Sequence, residues 1–556
     1  MIDLNEVSQD KLMEFTRTIA QWTRLSGSPE ERAAAEYAAG ELRSMGYDVR
    51  ILEHDAYISL PGNASLRVTV PQTRDIRCIT HSMGRPTDAR GVTAELVYAG
   101  RGELDDYARS GAAGKFALVE GRATPQHAVN ATRGGALGLV CISGRVAHEM
   151  CCSPVWGNPS AGTVGTLPAV HLISVDKADG ESLRDLCRQG RVEIRATADV
   201  QTGWTTTPIV QADLRPGHPA AEQTFVLFSG HLDSWYLGAM DNGSANAAML
   251  EVARLAAQQR AALRRGLRVV MWSGHSHGRY SSSAWYADTF FVDLDERCVA
   301  HVNTDALGGI GADQFGTNSM PETAALAIDA TRRVAQAPMD AHRVGRNSDQ
   351  SFHGVGIPCI LGVVSLQADG GTGWWWHTPH DTIDRIDPAR LTRDARIFAD
   401  VVGRLVTEDV LPLDYAASAA DIRQNLDALA QAAVGRFDLT PAISEAARLE
   451  SVCRRLSDAA RTAGGRAPKI NECLRQLGRI LIPVTYTRSG RHAHDPALEV
   501  PFLPKLQPVR RLTALSKGSD DEKFLLVDLI RARSEVTSAL RRACAAVEAC
   551  LATTVT

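Results

Sequence analysis

The sequence predicts an α/β fold: a mostly parallel sheet covered by helices, with an inserted β-rich module and a C-terminal helical domain. Three observations carry that prediction. Apolar runs of strand length ("TFVLFSGH", "LRVVMWSG", "CVAHVNTDAL", "PCILGVVS") are separated by helical stretches at 244–258 and around 324–334, the alternation of a parallel sheet. Between about 91 and 203, short strands ("AELVYAG", "KFALVEG", "ALGLVCIS", "AVHLISV") alternate instead with glycine-rich turns. After about 401 the pattern becomes helical, rich in Ala, Leu and Arg, with apolar residues every three to four positions. The expected domains are 1–90 joined with 204–405, an insert at 91–203, and a tail at 406–556. A chain of 556 residues exceeds one ordinary core, so several domains are required.

Each element has a local reason. The opening "MIDLNEVSQDKLMEF" reads as an acidic amphipathic helix that ends near "RLSGSPEE". There Ser28 is placed to cap a second helix, Pro29 to fill its first turn and Glu31 to complete a capping box. Gly46 stops that helix, and "YDVRILEHDAYIS" continues as strand. Further on, "MWSGHSHGRYSSSAWYAD" gives a buried strand, a polar turn with two histidines, and a helix starting near Ser282. In the tail, "AADIRQNLDALAQAAV", "AISEAARLESVCRRLSDAAR" and "KFLLVDLIRARSEVTSALRRACAAVEACL" read as helices. "RHAHDPALEVPFLPKLQPV" reads as a proline-rich connection lying over a surface.

Composition narrows the partners. Hydrophobic content of 44%, charged content of 22% and a net charge of −4 are ordinary globular values and offer no electrostatic case for nucleic acid. No run of about eighteen apolar residues is present, and no long basic run suggests a membrane surface. The start lacks the apolar core of a signal segment, and the eleven cysteines show no framework spacing, so they read as reduced thiols. Cys151-Cys152 is too isolated to be a zinc site by itself and reads as structural. The expectation is a cytoplasmic protein acting on a small-molecule or short peptide-like substrate, with no nucleic-acid or membrane partner.

Five segments place polar residues where strands should end. They are "SGHLDSWYLGAMDNGSANAAMLE" with His231, Asp233, Asp241 and Asn242; the turn at His275, Ser276 and His277; "HVNTDALGG" with Asp305; "RNSDQSFHGVGIP" with Asp349 and His353; and "WWWHTPHDTIDRID" with His377, His380 and Asp381. A lone buried histidine is more often a satisfied core residue. Imidazoles and carboxylates converging on one sheet edge are what a divalent transition metal needs.

At these segments the sequence resembles a known family. "GHLDSW…GAMDNGSANAAMLEVAR", "NTDALG", "SDQSFHGVGIP" and "HTPHDTID" are similar, in order and separation, to motifs of the di-zinc aminopeptidase family that also contains glutamate carboxypeptidase and the transferrin receptor. The resemblance is strong over 224–387 and looser elsewhere, where the insert looks like a protease-associated domain and the tail like a dimerisation domain. It implies His231 on one metal, His377 with Asp305 on the other, and Asp241 bridging. Asp233 would orient His231, and Asp381 would position the final loop. The implied cofactor is a divalent transition metal, zinc foremost, with iron or manganese as alternatives and one or two ions. The implied assembly is a homodimer or larger.

The turn departs from the family. Counting back from "SSAWYAD", the family's two adjacent glutamates, a general base and a metal ligand, fall on His275 and Ser276. On this resemblance His275 and Asp233 are the catalytic candidates, and a single-metal centre held by Asp241, Asp305 and His377 is expected because serine is a poor ligand at neutral pH. The alternative is a remodelled pair in which His275 or His277 replaces the carboxylate. His277, Ser276, His380 and His353 are further metal or substrate candidates. Trp376, in a run of three tryptophans, reads either as an aromatic substrate wall or as packing. Arg343 and Arg346 are placed to pair with a substrate carboxylate. The expected function is metal-dependent hydrolysis of an amide or peptide-like bond. The alternatives are a non-hydrolytic metalloenzyme (a lyase or cyclising transferase) and an inactive binding protein on the same scaffold.

Overall fold

The computed structural model describes residues 2–552. Residue 1 and residues 553–556, at the outer ends of the first and last expected domains, lie outside the described residues. Twelve strands form one sheet. From one edge its order is Cys359–Gly362, Cys298–Thr304, Phe225–His231, Gly266–Trp272, Val192–Leu214, Val92–Tyr98, Phe116–Glu120, Gly138–Ile142, His171–Val175 and Cys78–Thr80. The first four strands run parallel to one another, as do the four from Val92–Tyr98 to His171–Val175.

The two parallel blocks are joined by a long ribbon. Asp48–Val70 and Val192–Leu214, each 23 residues, pair antiparallel along almost their whole length. One end of Val192–Leu214 pairs with Gly266–Trp272 and the other with Val92–Tyr98. The run "YDVRILEHDAYIS" covers only the first half of its strand. The continuation, "LPGNASLRVTV", carries Pro61 and Gly62 at a bulge, which hides its strand character in the sequence.

Local signals account for the helices. Ser28 accepts from the amide of Glu31 at 3.0 Å, and Pro29 opens the helix Pro29–Ser44. Glu31, however, reaches back to the amide of Gly27 at 2.6 Å rather than to that of Ser28. The helix after the turn spans Ser281–Thr289, and Ala245–Gln258 and Pro321–Ala335 cover the sheet. The tail contains Tyr415–Ala432, Thr440–Arg461 and Asp520–Ala552, and also Ala467–Tyr486, to which the sequence reading assigned no helix. Pro483 falls in the last turn of that helix and obscures its end. One apolar cluster runs from Phe15 and Phe228 through Phe398 to Leu449, Leu477 and Leu529, so the tail shares the core of the main sheet. Among the described residues no helix is long and apolar enough to cross a membrane.

Glu322, at the start of Pro321–Ala335, supplies a test of this packing. Its carboxyl is buried and raised by that burial from 4.5 to about 7. The unfolded chain ionises it near 4.5 and the folded chain only near 7. Its contribution is therefore fully present below pH 4.5 and is lost as pH rises through that window. Glu322→Gln is expected to raise thermal stability at pH 8 by up to about 3 kcal/mol and to change little at pH 4. Melting curves of both proteins across this range check the sign.

Candidate functional site

The site lies where the parallel strands end. His231 closes Phe225–His231 and pairs in register with Trp272, so the turn after Trp272 begins level with it. Asp305 follows directly on Cys298–Thr304. Brought to one edge, these ends line a cleft of about 620 Å³ with His275, Ser276, Asp305, His377, Trp235 and Trp376 on its walls. A larger cavity of about 890 Å³ lies between the insert, Phe291 and the 489–498 stretch, and holds none of the metal candidates. The metal candidates Asp305 and His377 line the smaller one.

Asp241 is central. One carboxylate oxygen is 3.0 Å from Nε2 of His231 and the other 3.0 Å from Nε2 of His377. Its backbone is fixed by Asp381, whose two oxygens accept from the amides of Met240 and Asp241 at 2.9 and 3.0 Å. Asp381 thus holds the Asp241 turn rather than only its own loop. Asp305 approaches Nε2 of His231 at 3.5 Å. The resemblance set Asp305 with His377; the structure sets it with His231, because the strand bearing Asp305 is the direct neighbour of the strand ending in His231.

Each imidazole is oriented through its far nitrogen. His231 Nδ1 donates to the carbonyl of Asp233 at 2.8 Å, and His377 Nδ1 to the carbonyl of Glu149 at 2.6 Å. Glu149, from the insert, also donates its amide to the carbonyl of His377 at 3.0 Å. Both Nε2 atoms are thereby left facing Asp241. Burial alone would lower the His231 pKa, but Asp233, Asp241 and Asp305 lift it well above the usual histidine range. Burial would likewise raise Asp241, yet His231 and His377 hold it far below the usual carboxylate range. His231 Nε2 and Asp241 Oδ1 are buried and out of line for a hydrogen bond with each other, so neither has a partner. A buried, oxygen-rich pocket that attracts positive charge and leaves two donor atoms unpartnered fits a divalent cation.

The turn is rigid. The Asp233 carboxylate accepts from the amides of His275 and Ser276 at 3.3 and 2.8 Å and from Ser26 Oγ at 2.7 Å. Its carboxylate stays 3.6 Å from His231, so it orients the turn more directly than it orients that ligand. His275 Nδ1 lies 2.7 Å from Asp349, whose other oxygen accepts from Ser283 Oγ at 2.7 Å. The His275 ring stacks on His231 at 3.8 Å and 14°. His231, His275 and Asp305 bring donor atoms within 4.8 Å of one another. The near-parallel stack sets the two rings side by side, and Nδ1 of His275 is taken by Asp349, so only its Nε2 is available to the cleft.

Other candidates fall elsewhere. His277 is fully buried against Trp235, contacts Ser26 Oγ at 3.0 Å and does not line the cleft. His353 is buried beside Tyr486 in the tail, where burial lowers its pKa to about 3. His380 is exposed against Trp374. Arg343 is drawn off to Asp421 of the tail at 2.7 Å and to the face of Phe502, so it is no cleft residue. Ser276 does face the cleft, and its buried hydroxyl has no partner. Trp376 lines the cleft and stacks on His377 at 3.4 Å, whereas Trp375 is buried with its Nε1 on Met240.

Several contributors carry no local sequence signal. Arg24 is fully buried and donates to the carbonyls of Leu232, Leu237 and Gly238, pinning the loop between His231 and Asp241. Ser26 and Glu149 act from far along the chain. The proline-rich connection does not merely lie over a surface: it places Ala497, Leu498 and Glu499 in the cleft wall.

Comparison with known proteins places part of this chain in a family. Residues 210–402 match the model of peptidase family M28. The chain carries a peptidase family M28 domain. Aminopeptidase YwaD of Bacillus subtilis is 24% identical over 399 residues, covering 70% of this chain and 82% of its own. A probable glutamate carboxypeptidase, VP8, of Zea mays is 24% identical over 503 residues, covering 74% and 69%. Among solved structures, BSAP, a zinc aminopeptidase from Bacillus subtilis, aligns with a TM-score of 0.55 at 22% identity over 74% of this chain and 96% of its own. An aminopeptidase from Aneurinibacillus sp. strain AM-1 aligns with 0.56 at 23% identity over 72% and 95%. The four metal candidates His231, Asp241, Asp305 and His377 all fall inside the matched segment.

Proposed function

We propose that the protein is a metal-dependent hydrolase of an amide or peptide-like bond in a small substrate, of the aminopeptidase-like kind. The observation that carries it is the oriented His275–Asp349 pair standing beside the His231–Asp241–Asp305 set, with His275 and Asp305 on the cleft wall and His231 and Asp241 buried behind it. His231, Asp241 and Asp305 would hold one ion, with His377 on the second oxygen of Asp241; zinc, as in the Bacillus subtilis structural relative, is the proposed metal. Bound there, a divalent metal supplies Lewis-acid polarisation of the scissile carbonyl and acidifies a water.

The chain's own residues do the rest. Asp349 accepts from Nδ1 of His275, which leaves the neutral ring with its lone pair on Nε2 as proton acceptor. Asp233 locks the turn that carries it, and Trp376, Trp235 and Tyr280 wall the cleft against bulk water. The test is a panel of aminoacyl anilides and N-acyl amino acids, assayed before and after chelation. Metal-dependent release from either class supports the reading; no hydrolysis of any member by metal-loaded protein overturns it.

The proposed assembly is a homodimer or larger formed through the tail. Phe524, Val527 and Ile530, at 70%, 46% and 48% exposure, recur three residues apart on Asp520–Ala552 and leave an apolar strip uncovered. Light scattering at micromolar concentration is expected to give at least twice the 59.9 kDa chain mass.

A further inference from the structure

We propose that Arg279 and Arg346 form an anion subsite next to His275, so that the substrate carries an oxyanion, carboxylate or phosphate, close to the bond that is cleaved. The word substrate here rests on the hydrolase reading above; the anion site itself rests on the geometry of the two arginines.

That geometry begins at the proposed base. The ring of Tyr280 stands edge-on to His275 at 4.9 Å, and Trp156 packs 4.3 Å from Tyr280. Arg279 lies over Tyr280 at 4.8 Å and Arg346 over Trp156 at 3.7 Å. Two guanidinium groups thus sit on one continuous aromatic surface that adjoins His275, and both residues line the cleft. Aromatic faces hold such groups flat while leaving their edges free to donate.

The Nε donors of the two arginines are unused. Neither arginine forms an ion pair among the described residues, and the Nε of each is buried without a hydrogen-bond partner. Arg346 donates to the main-chain carbonyl of Asp495 at 2.5 Å. The Asp495 carboxylate is committed to the amides of Arg488 and Ser489 and to Ser489 Oγ. Burial, opposed by Asp495 and Tyr280 and aided by the charge of Arg279, lowers the Arg346 pKa to about 10. Two neighbouring, half-buried cations without a counter-ion bear both a desolvation cost and mutual repulsion. An oxyanion gripped by both forks relieves each. Glu499 also lines the cleft but pairs with neither arginine. Arg122, from the insert, lies over Trp376 at 5.0 Å without an ion pair and extends the positive wall to the rim.

The experiment is calorimetric titration of the whole purified chain, metal-loaded and chelated, with glutarate, its neutral diamide glutaramide, and inorganic phosphate. Glutarate is expected to bind in both metal states and glutaramide at least about tenfold more weakly. Arg279→Gln and Arg346→Gln should each weaken glutarate by about tenfold or more, and Arg279→Lys by less, because it keeps charge but not the fork. Phosphate binding that falls in the same variants supports a general oxyanion site, and phosphate that fails to bind supports a carboxylate site. Glutarate binding unchanged in both folded glutamine variants, or equal for glutarate and glutaramide, overturns the proposal. If the arginines govern glutarate binding but no amide is hydrolysed, the subsite stands and the hydrolase reading falls.

Discussion

His275→Ala is expected to lower turnover by about two to four orders of magnitude, the usual scale for a general base, while the metal content of the purified protein stays unchanged. The argument is geometric. His275 stacks on His231 at 3.8 Å and 14°, which sets the two rings side by side. Its Nδ1 is taken by Asp349 at 2.7 Å, so Nε2 is the free nitrogen. Asp349→Asn should give an intermediate loss, because an amide facing Nδ1 no longer enforces that tautomer. The checks are steady-state rates on the best panel substrate and metal per chain by elemental analysis. Metal lost from His275→Ala would make the residue a ligand. Unchanged turnover would make it a bystander.

How much of this was readable beforehand depended on range. His231 closes and Asp305 directly follows a buried apolar run, and the α/β class followed from the same runs. Asp241 and His377 lie in turns away from any strand end and were legible only through the family resemblance. Which carboxylate stands by which imidazole was not readable. Linear order does not reveal that Cys298–Thr304 lies directly beside Phe225–His231, and that adjacency pulls Asp305 to His231. The same limit applies to Arg343. From the sequence it looks equivalent to Arg346 three residues on, yet Asp421, 78 residues away, takes the first and leaves the second in the cleft. Asp233 shows a subtler case. The family resemblance implied a ligand-orienting carboxylate, but its own carbonyl does that work and its carboxylate receives the amides of the turn. Contacts with main-chain groups leave no mark in residue identity.

The metal site itself gives the second large effect. Asp241→Ala should empty it, since Asp241 alone reaches both His231 and His377, each at 3.0 Å. Asp305→Ala should weaken binding by more than the roughly 10–100-fold that outer partners of a ligand cost, because it removes one of three donors. His377→Ala, in contrast, should leave one tightly held ion, because His231, Asp241 and Asp305 remain. On the His377 side the only group at the place of the second family glutamate is the Ser276 hydroxyl, a neutral donor that neither offsets cationic charge nor readily loses its proton. Wild-type protein is therefore expected to hold nearer one ion per chain than two. His275→Glu combined with Ser276→Glu should move that figure toward two, since the Asp233 amide contacts keep the turn in place whatever side chains it bears. Elemental analysis after dialysis against trace metal, with a crystal structure to place the ions, checks each value. Two fully occupied positions in the unaltered protein would overturn the single-ion expectation, and loss of all metal in His377→Ala would show that the complete ligand set lies on the His377 side of Asp241 instead.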